Sequence, residues 1–158
     1  MIRAARDADA EAVAALINAI NSLDTGAPRL PMTAAVVLRD LICEQPKAML
    51  RVAERDGRLV GFATAGLVYD AERSAWALML LDLYVAPEAR RCGLARALMA
   101  SLAAEALRHR AGCLWWGVDE GDEEAMLFYR AIGAHSEGMF SGELLEGAAL
   151  ERLAREHA

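Results

Sequence analysis

Lysine is nearly absent from this chain: Lys47 stands alone among 17 basic residues, and the rest are arginine. With a formal net charge of −6 and a pI near 5.1, the composition lacks the basic excess that a general nucleic-acid binder needs. Cysteine is scarce too. Cys43, Cys92 and Cys113 form no C-x-x-C pair, and no metal-ligand spacing links them with His109, His135 and His157. They read as reduced thiols in a cytoplasmic protein that holds no metal. Long apolar runs are missing although 56% of the residues are hydrophobic, and none approaches the ~20 residues of a membrane-spanning helix. The opening "MIRAARDADAEAVAAL" carries acids where an export signal would be apolar, so neither secretion nor a membrane partner is expected. With no repeat, low-complexity tract or linker, residues 1–158 read as a single domain.

What is present is an alternation of strand-like and helix-like runs. Ile2–Ala5 reads as an edge strand. "DADAEAVAALINAI" reads as a helix with Asp7 or Asp9 at its cap and Val13, Leu16, Ile17 and Ile20 on one face. A loop over Asn21–Met32 follows, then a helix capped by Thr33 and running to about Glu44, with Pro46 as its stop. Asp56-Gly57 sits between two strand-like runs and predicts a two-residue hairpin turn. A third strand is expected over Trp76–Val85, a helix over Leu94–Arg110, and a buried strand over Cys113–Asp119. Asp122 should cap a helix that Gly133 ends. A strand over Met139–Leu145 and a last short helix complete the reading. The order predicts a mixed α/β (α+β) fold, with an antiparallel hairpin followed by a parallel, right-handed strand–helix–strand crossover.

One short stretch is out of character. "ARRCGLAR" (Ala89–Arg96) places Arg90 and Arg91 before Gly93, between a strand and a helix built of strong helix formers. Such a turn presents unpaired backbone N–H groups at the positive end of a helix dipole, and Arg90, Arg91 and Arg96 add side-chain donors. The natural guest is a phosphate or pyrophosphate. Neither a Walker A loop nor a dinucleotide fingerprint fits, since no G-K-[ST] follows Gly93 and G-x-G-x-x-G is missing. The stretch alone fits equally well a solvated loop that caps a helix.

Two motifs in register carry a family resemblance. Val85-Ala86-Pro87 followed by Arg90-Arg91-Cys92-Gly93-Leu94-Ala95 is similar to the R/Q-x-x-G-x-G/A signature of the GNAT superfamily of acetyl-CoA-dependent N-acetyltransferases. Asp122-x-x-Ala125-x-x-Phe128-Tyr129-x-x-x-Gly133-Ala134 is similar to that superfamily's N-x-x-A-x-x-F-Y-x-x-x-G-F helix, with Asp122 and Ala134 departing from it. The resemblance covers essentially the whole chain. It implies a mostly antiparallel central sheet, flanking helices and a splayed parallel strand pair, with acetyl-CoA as co-substrate. Residues 90–96 would hold the pyrophosphate, Leu83, Tyr84 and Val85 would pair with the pantetheine arm, and a backbone N–H near Leu83 would face the oxyanion. Asp122, Ala125 and Tyr129 would contact the cofactor. The stretches "LLDLYVAPEARRCGLARALMASLAAEAL" and "ELLEGAALERLA" look like the diamine/polyamine acetyltransferase branch, although Leu81 stands where that branch has glutamate. Relatives commonly pair through the C-terminal region, which implies a homodimer.

Acetyl transfer from a thioester to an amine needs a neutral amine, a stabilised oxyanion and a proton for the departing thiolate. Tyr129 suits the last, since a phenol of pKa about 10 is protonated at pH 7; in an arbitrary helix it would merely flank an Ala125–Phe128–Ile132 core stripe. Asp82 is a carboxylate inside an apolar strand: a base, an anchor for a cationic amine, or a structural acid paired with an arginine. Asp119 and Glu120 are further candidates for the base. Trp115 and Trp116 alternate faces, one for the core and one free to line a cleft. The histidines receive no role. The expected activity is N-acetylation of a small primary amine such as a diamine, polyamine or amino-sugar. The alternatives are acetylation of a protein N-terminus or lysine, and a non-catalytic acetyl-CoA-binding regulatory module.

Overall fold

The structure, a computed structural model, describes residues 1–23 and 25–157. Asp24, in the predicted loop, and Ala158, at the end of the predicted last helix, lie outside them. The chain divides into two compact units, Met1–Asp119 and Glu120–Ala158.

The first unit is built on a five-stranded sheet of order β1-β2-β3-β4-β5, with β1 Ile2–Ala4, β2 Met49–Arg55, β3 Arg58–Asp70, β4 Ala75–Val85 and β5 Cys113–Trp115. The first four strands are antiparallel and β4–β5 is parallel, as the crossover predicts. β1 is indeed an edge strand. The β2–β3 turn is made by Asp56 (φ 51) and Gly57 (φ 75), the double left-handed geometry that favours an Asp-Gly pair.

Helices α1 (Ala10–Ile20) and α2 (Ala34–Asp40) cover one sheet face. Val13, Leu16 and Ile17 of α1 and Val37 of α2 are buried with Leu50, Val52, Phe62 and Tyr84. Thr33 caps α2 as predicted, accepting from the Val36 N–H at 3.3 Å. α2 ends at Asp40 rather than near Glu44. Leu41 and Ile42 turn inward to pack on this cluster, both amides closing on the Val37 carbonyl at 2.9 and 3.1 Å, so the helical ladder stops short of Pro46.

Helix α3 (Leu94–Arg108) packs on β2, β3 and β4. It lies on the opposite face. Arg51, which alternates with the core residues Leu50 and Val52, pairs there with the buried Glu105 of α3. Arg108 bonds the same carboxylate at 2.8 Å. A buried acid with two guanidinium partners is tolerated, whereas losing one partner of such a pair costs about 3–5 kcal/mol.

β5 is shorter and less buried than predicted, ending at Trp115 rather than Asp119. Its ladder with β4 stops at Met79↔Trp115, just before a bulge at Leu81 that bends β4 away. Trp115 and Trp116 are both half-buried, so neither is the fully buried core residue that alternation predicted.

The second unit holds α4 (Glu123–Ala131) and α5 (Gly147–Arg155). Asp122 caps α4, its Oδ1 accepting from the Ala125 N–H at 2.9 Å, and Gly133 (φ 98) follows its end. The predicted strand over Met139–Leu145 is not formed among the described residues. Gly138 (φ 125) and Gly142 bracket a run of three, too short and too exposed to hold a ladder.

Candidate active site

The site starts from the β4 bulge. Thr64 of β3 faces Asp82, whereas the next residue, Ala65, faces Leu80, so Leu81 is the extra residue and its side chain is exposed. Beyond the bulge, the Ala86 N–H donates to the Val60 carbonyl at 2.8 Å. By the two-residue alternation of a ladder, the backbone groups of Asp82 and Tyr84 then face β3, and those of Leu83 and Val85 face the other edge. That edge is where β5 has already stopped. A strand edge with N–H and C=O groups turned outward suits an extended amide-bearing ligand that adds as a strand.

The strand runs straight into the arginine stretch. A 3₁₀ turn, Pro87–Ala89, tucks Ala89 into the interior, and Arg90 Nε donates back to the Val85 carbonyl at 3.0 Å. Arg91 (φ 59) and Gly93 (φ 75) are both left-handed, with Cys92 between them, and Gly93 is the N-cap of α3. This backbone hand curls N–H groups toward a common point ahead of a helix N-terminus. A Cβ built on Gly93 meets no atom within 4 Å. Packing therefore does not require glycine there; the left-handed backbone favours it, and the space above the amide is open. The Arg90, Arg91 and Arg96 side chains are exposed, Leu94 and Ala95 half-buried. The residues present fit a pyrophosphate.

Asp82 is half-buried, and its Oδ2 accepts a hydrogen bond from the Thr64 hydroxyl. Its partner is thus a threonine, not the arginine that the sequence left open. Tyr84 turns its ring into the core against Phe62, centroids 6.2 Å apart, so only its backbone is available to a ligand. Asp119 is exposed.

In the second unit, Tyr129 lies on α4 beside Phe128, ring centroids 5.1 Å apart. Burial pushes its phenol above the usual tyrosine value, and the Asp122 carboxylate adds to the rise. The group therefore keeps its proton through neutral and mildly alkaline pH. Asp122 spends one carboxylate oxygen on the helix cap; Ala125 is half-buried and Glu120 exposed.

Three features of the site were missed in the sequence. Thr64 has only β-branched strand propensity as a signal. Arg55, whose Nη1 donates to Cys92 Sγ at 3.4 Å, ties the β2–β3 hairpin to the arginine stretch. Gly61 lies opposite Val85, where a Cβ would sit 2.7 Å from the Tyr84 carbonyl oxygen, and only glycine allows that approach. A cavity of about 220 Å³ between Ala4, Leu41, Cys43, Pro46 and Leu50 contains none of the predicted site residues.

The acetyltransferase (GNAT) family matches residues 15–134, more than half of the chain and spanning both motifs. The chain belongs to that family. As a GNAT acetyltransferase it is an acetyl-CoA-dependent N-acetyltransferase with acetyl-CoA as co-substrate. Solved structures share its fold at low identity. An integron cassette protein from the mobile metagenome of V. cholerae is 21% identical at a TM-score of 0.79, covering 98% of this chain and 97% of its own. A ribosomal-protein-alanine N-acetyltransferase from Brucella melitensis biovar Abortus 2308 is 22% identical at 0.72, covering 94% and 99%. An aminoglycoside N-acetyltransferase in complex with CoA is 16% identical at 0.73, covering 93% and 100%. No curated protein matches the chain in sequence.

Proposed function

We propose that this acetyltransferase moves the acetyl group of acetyl-CoA to a primary amine of a small molecule, of diamine, polyamine or amino-sugar type, with residues 1–158 acting as one cytoplasmic domain. The observation that carries the reading is the outward edge of β4, Leu83 and Val85, running directly into the Arg90–Arg96 turn. Amides for an extended arm and donors for a pyrophosphate then follow one another along the chain. Structural neighbours include aminoglycoside acetyltransferases, whose acceptors are small molecules, and this supports the small-amine reading.

In this reading the Leu83 N–H stabilises the charge that develops on the thioester oxygen. Asp82 takes the proton that the amine loses on bonding to the acetyl carbon, directly or through water. As the carbon–sulfur bond breaks, Tyr129 gives its proton to the thiolate, a transfer that its raised pKa leaves fully supplied at pH 7. The pyrophosphate is held by the Gly93, Leu94 and Ala95 amides with Arg90, Arg91 and Arg96, and Asp122 and Ala125 border the pantetheine arm. The chain acts as a homodimer. A thiol-release assay with acetyl-CoA and a panel containing a diamine, a polyamine, an aminoglycoside and an N-terminal peptide tests the function. Fastest turnover on the peptide would replace the small-amine reading, and absence of turnover with every amine would leave a cofactor-binding module.

A further inference from the structure

We propose that Thr64 is a positioning residue, whose hydroxyl occupies Asp82 Oδ2 so that Oδ1 alone is presented to the acceptor amine. The inference rests on the reading of Asp82 as the group that receives the amine proton.

The argument begins with the rows of the sheet. Val52, Phe62 and Tyr84 face one another across β2, β3 and β4 and are buried in the α1–α2 core. The next row on that face is Leu50, Thr64 and Asp82. Thr64 is 4% exposed, so a hydroxyl stands where its neighbours in the core are aliphatic or aromatic. Burying a hydroxyl without a partner is unfavourable, a cost that valine at this position would avoid. The hydroxyl does have a partner: it donates to Asp82 Oδ2, and an ionised carboxylate can only accept.

The other carboxylate oxygen is in a different position. No protein group among the described residues bonds Asp82 Oδ1, yet no buried side-chain oxygen there lacks a partner. Oδ1 is therefore open to solvent. A β-branched residue is stiff about χ1, so the backbone of β3 sets the direction of the Thr64 hydroxyl. Asp82 is also the first residue after the Leu81 bulge, a device that re-aims the side chain beside it. Bulge and hydroxyl together hold one carboxylate rotamer with one free oxygen. This is the preorganisation that a proton acceptor needs when misplacement is costly in rate.

The test compares Thr64→Val, Thr64→Ser and Asp82→Asn, each checked for folding by thermal melting, on the amine of the panel that turns over fastest. Thr64→Val keeps the shape and removes the donor; Thr64→Ser keeps the donor. Thr64→Val should lower kcat about tenfold, part of the 10²–10⁴-fold worth of proton transfer, while KM for acetyl-CoA stays within about twofold. Thr64→Ser should return kcat to within about threefold of the parent. Should Thr64→Val not fold, Thr64→Ala carries the same comparison with serine. If Thr64→Ser is as slow as the variant without a hydroxyl, the methyl packing matters and the inference is overturned. It is likewise overturned, with the reading of Asp82 intact, if Asp82→Asn loses activity and Thr64→Val does not. Near-parent activity in Asp82→Asn, or no turnover of any amine by the parent, removes the reading and the inference together.

Discussion

Tyr129 gives the sharpest statement at the scale of a residue. Tyr129→Phe deletes only a hydroxyl, so the ring contact with Phe128 and the binding of acetyl-CoA should survive. If the hydroxyl is the proton donor to the thiolate, its loss should lower kcat and kcat/KM together by roughly 10²-fold or more. The parent-minus-variant ultraviolet difference spectrum should show a phenol titrating above pH 10, because burial and Asp122 oppose its ionisation. A titration at or below pH 10 would contradict the buried setting; activity within about threefold of the parent would leave Tyr129 as a packing aromatic. A second residue governs acid stability. Arg3 bonds Asp9 at 2.6 and 3.0 Å and Glu54 at 2.8 Å, and the Arg3 guanidinium first, then the Arg6 N–H, hold the Asp9 carboxyl below its usual range against the opposing effect of burial. A depressed carboxylate stabilises the fold fully above its unfolded value of about 3.9, and that contribution disappears as pH falls through the lower folded value. Asp9→Asn should therefore cost about 2 kcal/mol at pH 7 by denaturant melts, and clearly less at about pH 3, below the unfolded carboxyl value. An equal cost at both pH values would show that packing, not ionisation, is at stake.

Among the elements, the turn before α3 carries the cofactor prediction. Gly93→Val places a β-branched side chain at φ 75, in the open space above the amides. The acetyl-CoA dissociation constant should rise at least tenfold, about 1.4 kcal/mol, by calorimetry on a folded variant. An unchanged constant would remove the pyrophosphate from this turn. This is also where the sequence was most legible. Asp56-Gly57, Thr33, Asp122 and Gly93 each declare a backbone conformation by their own chemistry, so the hairpin, the caps and the turn before α3 could be read one residue at a time. Features that depend on a partner strand could not. The Thr64–Asp82 bond needs the β3–β4 register, and the Leu81 bulge changes that register between Thr64 and Ala65. Strand propensity predicted β5 to Asp119 and a strand over Met139–Leu145, but a strand exists only while another pairs with it. Arg55 and Cys92 are neighbours only because the hairpin returns to the turn.

For the whole molecule, the expected homodimer is the property that composition and exposure support together. Leu144, Leu145, Leu150 and Leu153 of the second unit are all exposed, and so are Tyr69 and Trp76 at the far end of β3–β4. Large apolar side chains left exposed in this number suit surfaces that are covered by a second copy in solution. Sedimentation at micromolar concentration should give twice the 17.1 kDa chain mass, and Leu150→Glu with Leu153→Glu should return it to one. A monomeric parent would contradict the dimer.

The early end of the parallel ladder, at Met79↔Trp115, has a consequence for the timescale of breathing in the unliganded enzyme. The amides of Asp82 and Tyr84 are closed by β3, whereas those of Leu83 and Val85 face an edge without a strand. Adjacent residues on one strand should thus exchange deuterium at very different rates, Leu83 and Val85 fast, Asp82 and Tyr84 slowly, since protection follows the hydrogen bond rather than the element. Saturating acetyl-CoA should slow the fast pair at least tenfold and leave the slow pair nearly unchanged, turning an alternating exchange pattern into a uniform one. Uniformly slow exchange in the free protein would mean that this edge is already occupied.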